Sequence, residues 1–62
     1  MPIVTVETLS GRTVEQKREL VKAITQALVD IYQVPAERVH VVLHEVPAEN
    51  IGSAGALLSD IR

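Results

Sequence analysis

Two runs of β-branched residues flank one amphipathic helical pattern, and this arrangement constrains the fold more than any other feature of the sequence. The first run extends from Ile3 to Leu9 and the second from Val39 to Val46. Both are predicted to be β-strands, since Val, Ile and Thr pack well on a pleated surface. A strand, a long helix and a strand make a βαβ unit with parallel strands. The predicted fold class is therefore α/β (α+β), a single β-α-β unit followed by a C-terminal turn or hairpin.

The predicted helix has a recognisable start and end. Thr13 and Gln16 are spaced as in a capping box, where each side chain bonds to the backbone amide of the other residue. The helix should end near Gln33, because Pro35 disfavours helical backbone at the residue before it. Apolar residues recur between these limits at Leu20, Val21, Ile24, Ala27, Leu28, Ile31 and Tyr32, opposite the polar residues Glu15, Arg18, Glu19, Lys22, Gln26 and Asp30. This spacing predicts an amphipathic helix of about five turns.

The segments outside this unit are predicted to be short connections. Residues 35–38 should form one helical turn with Pro35 at its first position. In the tail, Gly52 and Gly55 indicate a turn or a small hairpin before a short apolar end. Residues 1–62 are predicted to form one domain, since a chain of this length is too short for two.

The small size of the chain predicts self-association. A domain of 62 residues buries a small fraction of its surface, and without cysteine it has no disulfide or thiolate metal site to stabilise it. Hydrophobic residues nevertheless make up 47% of the sequence. Two strands and one helix leave one face of the sheet uncovered. We therefore expect a homo-oligomer in which other subunits complete the sheet.

Charge and composition argue against several classes of function. The net charge is −2, and with one Tyr and no Phe or Trp there is neither a basic stripe nor a stacking surface for nucleic acid. No apolar run is long enough to cross a bilayer and no secretory signal is visible, so we expect a cytoplasmic protein without membrane partners. The sequence also lacks a phosphate loop, a dinucleotide fingerprint and a nucleophile elbow. An enzyme of this kind would be limited to moving a proton.

Pro2 is the first candidate catalytic residue. Removal of Met1, which is usual ahead of a small second residue, would leave Pro2 with a free secondary amine. Apolar surroundings or a nearby cation would favour the neutral form of that amine, which could then act as a general base near neutral pH. If Met1 is retained, the nitrogen is a tertiary amide and has no such role. The alternative is a proline that simply starts a strand.

Arg12 is the second candidate. It lies in the turn before the helix, where backbone amides and the helix dipole already favour an anion. Its guanidinium could hold a carboxylate through two parallel hydrogen bonds. The alternative is a solvated arginine in a turn.

His40 and His44 have the spacing of a metal-binding pair only if they lie on a helix. On a strand they stand roughly 13 Å apart, which is too far for one ion. The sequence therefore predicts no metal site.

These features together resemble the 4-oxalocrotonate tautomerase family over essentially the whole chain. The resemblance is carried by Pro2, the turn SGRT at 10–13, EQK at 15–17, the long helix, Pro35, the strand VHVVLHEV at 39–46 and the glycine-bearing tail. It implies a subunit that assembles as a homohexamer, a trimer of dimers, with active sites shared between subunits. It also implies cofactor-independent keto-enol tautomerisation of dienol acids such as 2-hydroxymuconate, a reaction of aromatic catabolism.

In that mechanism Pro2 carries a proton from the 2-hydroxyl group to a distant carbon. Arg12 binds the far carboxylate and stabilises the negative charge that develops. The best-known family members carry a second arginine where this chain has His40, and a phenylalanine where it has Ile51. Histidine is shorter and cannot bind a carboxylate in two-pronged fashion. Arg38 is not a simple substitute, since two residues along a strand move a group by about 6–7 Å.

His40, Ile51 and Arg38 are therefore the candidate substrate-binding residues, and Ile51 keeps that wall of the pocket apolar. The change at His40 leaves open whether the substrate is a dicarboxylate or another small enol or keto acid. Two alternatives also stay open. The Pro2 amine could form imines with aldehydes or ketones, or the chain could be a non-catalytic homo-oligomeric scaffold or binding module that kept the fold.

Overall fold

Two parallel strands and one long helix form most of the subunit. The computed structural model describes residues 1–61. Its main elements are β1 (Ile3–Leu9), α1 (Val14–Tyr32), β2 (His40–Val46) and an antiparallel hairpin of β3 (Gly52–Ser53) and β4 (Ala56–Leu57). Three 3₁₀ turns, Ala36–Arg38, Ala48–Asn50 and Leu58–Asp60, connect or follow these elements. The β-α-β order and the tail hairpin confirm the predicted fold class.

β1 and β2 pair in parallel over their whole length. Ile3 lies opposite His40 at one end of the sheet, and Leu9 lies opposite Val46 at the other. β2 begins one residue later than predicted, because the Val39 amide closes the preceding 3₁₀ turn. Since the strands run in the same direction, their amino ends share one edge of the sheet and their carboxyl ends share the other.

The two ends of α1 form as the sequence predicts. The Gln16 amide donates to Thr13 Oγ1 at 3.1 Å, and the Thr13 amide donates to Gln16 Oε1 at 3.1 Å, which completes the capping box. At the other end Gln33 adopts a left-handed backbone conformation, and its amide donates to the Val29 carbonyl. Pro35 caps the next 3₁₀ turn, one place before the first-turn position that we predicted.

The sheet has one covered face and one uncovered face. Side chains on the covered face are half-buried against α1, and they belong to Val4, Val6, Thr8, Val41, Leu43 and Glu45. Alternate residues are exposed on the opposite, uncovered face, namely Ile3, Thr5, Glu7, Leu9, His40, Val42 and His44. The exposed fraction is 61% for Ile3 and 49% for Val42, so apolar surface on this side faces water in the single subunit.

α1 carries more apolar surface than a two-stranded sheet can cover. Its half-buried residues are Lys17, Val21, Ile24, Thr25, Leu28 and Val29. Four positions that the sequence pattern placed on the apolar side are exposed instead, namely Leu20, Ala27, Ile31 and Tyr32. No helix within residues 1–61 has the length and hydropathy needed to cross a membrane.

The isolated subunit has no fully buried core. Every side chain within residues 1–61 keeps some contact with water, and the accessible surface is 4945 Å². A folded monomer of 6.8 kDa exposes about 3,950 Å², so the excess is about 1,000 Å². The radius of gyration is 14.9 Å, against about 10.6 Å for a compact domain of this length. These values indicate a subunit shaped for association.

Candidate active site

The predicted site residues lie at two opposite ends of the sheet. Pro2, Arg38 and His40 are at the amino end, whereas Arg12 and Ile51 follow the carboxyl ends of the strands. The seven residues of β1 separate the two groups, a distance of about 20 Å along the strand. A single subunit therefore does not bring the five residues together.

At the amino end, Pro2 and His40 are joined through their backbones. The His40 amide donates to the Pro2 carbonyl at 3.0 Å. Pro2 is half-buried, and the His40 side chain is exposed on the uncovered face. Arg38 is the last residue of the 3₁₀ turn Ala36–Arg38, which confirms the helical turn predicted for residues 35–38. The strand geometry that we used for its displacement from His40 does not apply, because Arg38 lies in the turn.

At the carboxyl end, Gly11 and Thr13 fix the backbone on both sides of Arg12. Gly11 has a φ of 120°, which L-residues rarely adopt and which allows the sharp turn out of β1. Thr13 then caps α1 through its side chain. The Arg12 side chain is exposed and lines a cavity of about 180 Å³, together with Thr8, Gln16, Lys17, Leu20, Leu43 and Glu45.

Two other residues that line this cavity, Lys17 and Glu45, form an ion pair. The Lys17 ammonium donates to Glu45 Oε1 and so connects α1 to β2. The two side chains are 31% and 30% exposed, respectively. The other pairs of acidic and basic side chains found within residues 1–61 are more exposed: Arg18 pairs with Glu15 at 2.7 Å, and His44 Nδ1 lies 3.9 Å from Glu7 Oε1, which makes an ion pair only when the imidazole is protonated. None of these three pairs involves Arg12.

Ile51 lines a second, more open cavity of about 580 Å³ on the same end of the sheet. The other lining residues are Glu7, Thr8, Leu9, Val46, Asn50 and Gly52. Ile51 is half-buried, and its carbonyl accepts a hydrogen bond from the Leu58 amide at 2.8 Å. This bond spans the tail hairpin, and Ile51 and Leu9 together give the cavity part of its apolar lining.

Sequence reasoning missed two groups near these cavities. Glu7 and Leu9 line the cavity with Ile51, and the alternation of β1 could have shown that they share a face. Lys17 and Glu45 lie beside Arg12, but no sequence signal predicts their pairing, since it depends on where the helix crosses the strand. His40 and His44 are both exposed on the uncovered face of β2, four residues apart along the strand. Within residues 1–61 no group of three or more potential metal ligands is arranged around a common point.

Comparison with known proteins identifies relatives that match nearly the whole chain. A family model described as "Tautomerase enzyme" matches residues 2–61. A probable tautomerase of Halalkalibacterium halodurans is 48% identical over 60 residues, which cover 97% of this chain and 98% of the relative. The 2-hydroxymuconate tautomerase of Bacillus subtilis is 41% identical over 61 residues, or 98% of each chain. The 2-hydroxymuconate tautomerase of Comamonas testosteroni is 38% identical, with 98% and 97% covered.

Solved structures give the same result. YwhB, a homologue of 4-oxalocrotonate tautomerase, superimposes with a TM-score of 0.90 at 39% identity, over 98% of this chain and 100% of that one. A heterohexameric 4-oxalocrotonate tautomerase from Chloroflexus aurantiacus superimposes with a TM-score of 0.88 at 31% identity, with both chains fully covered. Sequence and backbone geometry thus agree along the whole length of the subunit.

Proposed function

The chain belongs to the tautomerase family, and from that premise we propose that it is a cofactor-independent isomerase of a small enol or dienol carboxylic acid such as 2-hydroxymuconate. The observation that carries this proposal is a match that begins at Pro2 and continues to residue 61. Two relatives named 2-hydroxymuconate tautomerase align over nearly the same length. The isomerase activity is thus supported by the relatives, and the substrate is our proposal.

We assign the proton transfer to Pro2. After removal of Met1, the amine takes the proton of the enol hydroxyl, and the electrons of that O–H bond form the ketone. The conjugated double bonds shift, and the amine returns the same proton to a carbon farther along the chain. Atoms and charge balance without an added reagent. Pro2 is half-buried, and partial removal from water favours the neutral amine that this step needs.

We assign the stabilisation of the developing charge to Arg12. As the proton leaves the hydroxyl group, electron density moves toward the far end of the substrate. A guanidinium that already holds the carboxylate there stabilises this density without further reorganisation. In the proposed site His40 and Arg38 lie near Pro2, whereas Ile51 provides an apolar wall near Arg12.

The proposed active site needs more than one subunit. The Pro2 end of one subunit must meet the Arg12 and Ile51 end of another, since about 20 Å of β1 separates them within one chain. The uncovered sheet face and the excess surface of about 1,000 Å² support close association. We propose a homohexamer. The Chloroflexus aurantiacus relative is named as a heterohexamer, so six-subunit assembly occurs with this fold.

The experiment that tests this function compares two preparations of the same chain. Intact mass identifies one with Met1 removed and one with Met1 retained. We expect ketonisation of 2-hydroxymuconate, or of the monoacid phenylenolpyruvate, only in the preparation with a free Pro2 amine. Pro2→Ala should lower the rate at least about a hundredfold, as expected for loss of a general base. Substantial activity in Pro2→Ala would contradict the mechanism, and an intact hexamer without turnover would favour a scaffold.

A further inference from the structure

A carboxylate lies in the same cavity as Arg12. Glu45 is on the covered face of β2, 30% exposed, and it lines the cavity together with Arg12, Lys17 and the apolar side chains of Leu20 and Leu43. Arginine binds a carboxylate well through two parallel hydrogen bonds. Glu45 is therefore a competitor for the guanidinium that the proposed mechanism reserves for the substrate.

We propose that Lys17 is a positioning residue that holds Glu45 and thereby keeps Arg12 available to the substrate carboxylate. This inference rests on the proposed function, because it concerns the group that Arg12 binds. Lys17 is the partner of Glu45 in the structure. The Arg12 side chain is exposed, and no ion pair recorded within residues 1–61 engages it.

The charges around the cavity explain why Lys17 has this effect. A nearby cation stabilises a partly buried carboxylate, because the carboxylate has lost part of its hydration. Lys17 and Arg12 are the two cationic side chains among the residues that line the cavity. If Lys17 loses its charge, Arg12 is the cation left to neutralise Glu45. The guanidinium would then turn inward, away from a substrate at the subunit boundary.

The backbone holds Arg12 where its side chain can turn either to Glu45 or to the substrate carboxylate. Gly11 and the N-cap residue Thr13 hold its Cα just before the start of α1, so we expect side-chain rotation to decide between Glu45 and the substrate. Lys17 approaches the same cavity from α1, five residues later in the chain. Rotation of an exposed side chain is fast compared with turnover. The charges of Lys17 and Glu45 therefore decide how often the Arg12 side chain is free to bind the substrate.

The test uses the full-length oligomer with Met1 removed and 2-hydroxymuconate as the substrate. Lys17→Met removes the charge and keeps a long side chain. We expect kcat/KM to fall about tenfold, mainly through a higher KM. Adding Glu45→Gln to that variant removes the competitor, and activity should return to within about threefold of the unmodified protein. Lys22→Met, which removes a lysine from the exposed side of the same helix, should have no such effect.

A second readout does not depend on turnover. The Arg12 Nε–H resonance, identified by its loss in Arg12→Lys, should exchange with solvent about tenfold more slowly in Lys17→Met and return to normal in the double variant. A purely structural role for the ion pair predicts no rescue by Glu45→Gln. The inference is overturned if Arg12 exchange is the same in all variants, or if rescue is absent. Loss of turnover in the unmodified protein, with the exchange pattern intact, would contradict only the proposed function.

Discussion

Pro2 and Arg12 lie at opposite ends of β1, with the seven residues of the strand between them. The separation of about 20 Å is larger than a small acid can bridge. The hydrogen bond from the His40 amide to the Pro2 carbonyl keeps Pro2 at its end of the sheet. The capped turn keeps Arg12 at the other end. If both residues act on one substrate, they must come from different subunits.

Mixed oligomers test whether the site is shared. Pro2→Ala and Arg12→Ala subunits, each inactive alone, are unfolded and refolded together in equal amounts. About one quarter of the sites should then combine an intact Pro2 with an intact Arg12. In a random mixture, each of the two positions in a shared site is filled by a subunit with the required residue half of the time. The initial rate of ketonisation should recover to about that fraction.

Dilution with a doubly inactive subunit is the matched control. Intact subunits refolded with an equal amount of the Pro2→Ala/Arg12→Ala variant should also retain about one quarter of the activity if sites are shared, and about one half if each site belongs to one subunit. Absence of recovery in the first mixture, together with one half in the second, would show that Pro2 and Arg12 of one chain act together.

His40 should limit the affinity for dicarboxylate substrates. His40→Arg places a permanent cation with two-pronged geometry next to Pro2. A charge-assisted pair of this kind contributes about 1.5–3 kcal/mol, so we expect KM for 2-hydroxymuconate to fall at least about tenfold. Steady-state kinetics measures the change.

His44→Arg provides the control for this prediction. His44 lies on the same strand and the same face as His40, roughly 13 Å away. The substitution adds the same charge at a distance from Pro2, and KM should not change. An equal decrease in both variants would show that overall charge, rather than position, attracts the substrate.

The capping box should contribute to the stability of α1. Thr13→Ala leaves the Gln16 amide without its acceptor, and a lost cap costs about 1 kcal/mol. At a fixed subunit concentration, Tm should fall by about 4–8 °C. Circular dichroism at the helix band measures the transition. Thr13→Ser retains the hydroxyl group and should remain within about 2 °C. A similar loss in both variants would exclude the cap as the cause.

The uncovered sheet face should form a contact between subunits. Val42 is 49% exposed on this face, and Val42→Asp would replace an apolar contact by a carboxylate that the interface must remove from water, at a cost of several kcal/mol. We expect sedimentation to show loss of the oligomer at micromolar concentration. Loss of helix signal should follow, since the single subunit has no buried core. Ala23→Asp adds the same charge to the exposed side of α1 and should leave the assembly intact. An unchanged oligomer in Val42→Asp would contradict this interface.

Local features of the sequence were sufficient to predict the elements of the fold. The first strand, the capping box of α1, the end of the helix near Gln33 and the tail hairpin all form where the residues predicted them. Each depends on neighbours within a few residues, such as alternation in a strand, a hydroxyl three residues from an amide, or a proline after a helix. The resemblance to the family also rested on short local motifs, such as GRT at 11–13.

Only the tertiary structure showed how the strands and the helix are placed relative to one another. The parallel register put Pro2 and Arg12 at opposite ends of the sheet, and the crossing of α1 over β2 brought Lys17 to Glu45. A sheet of only two strands left Ile31 and Tyr32 exposed. These outcomes depend on the packing of elements far apart in the chain, which local propensities do not encode.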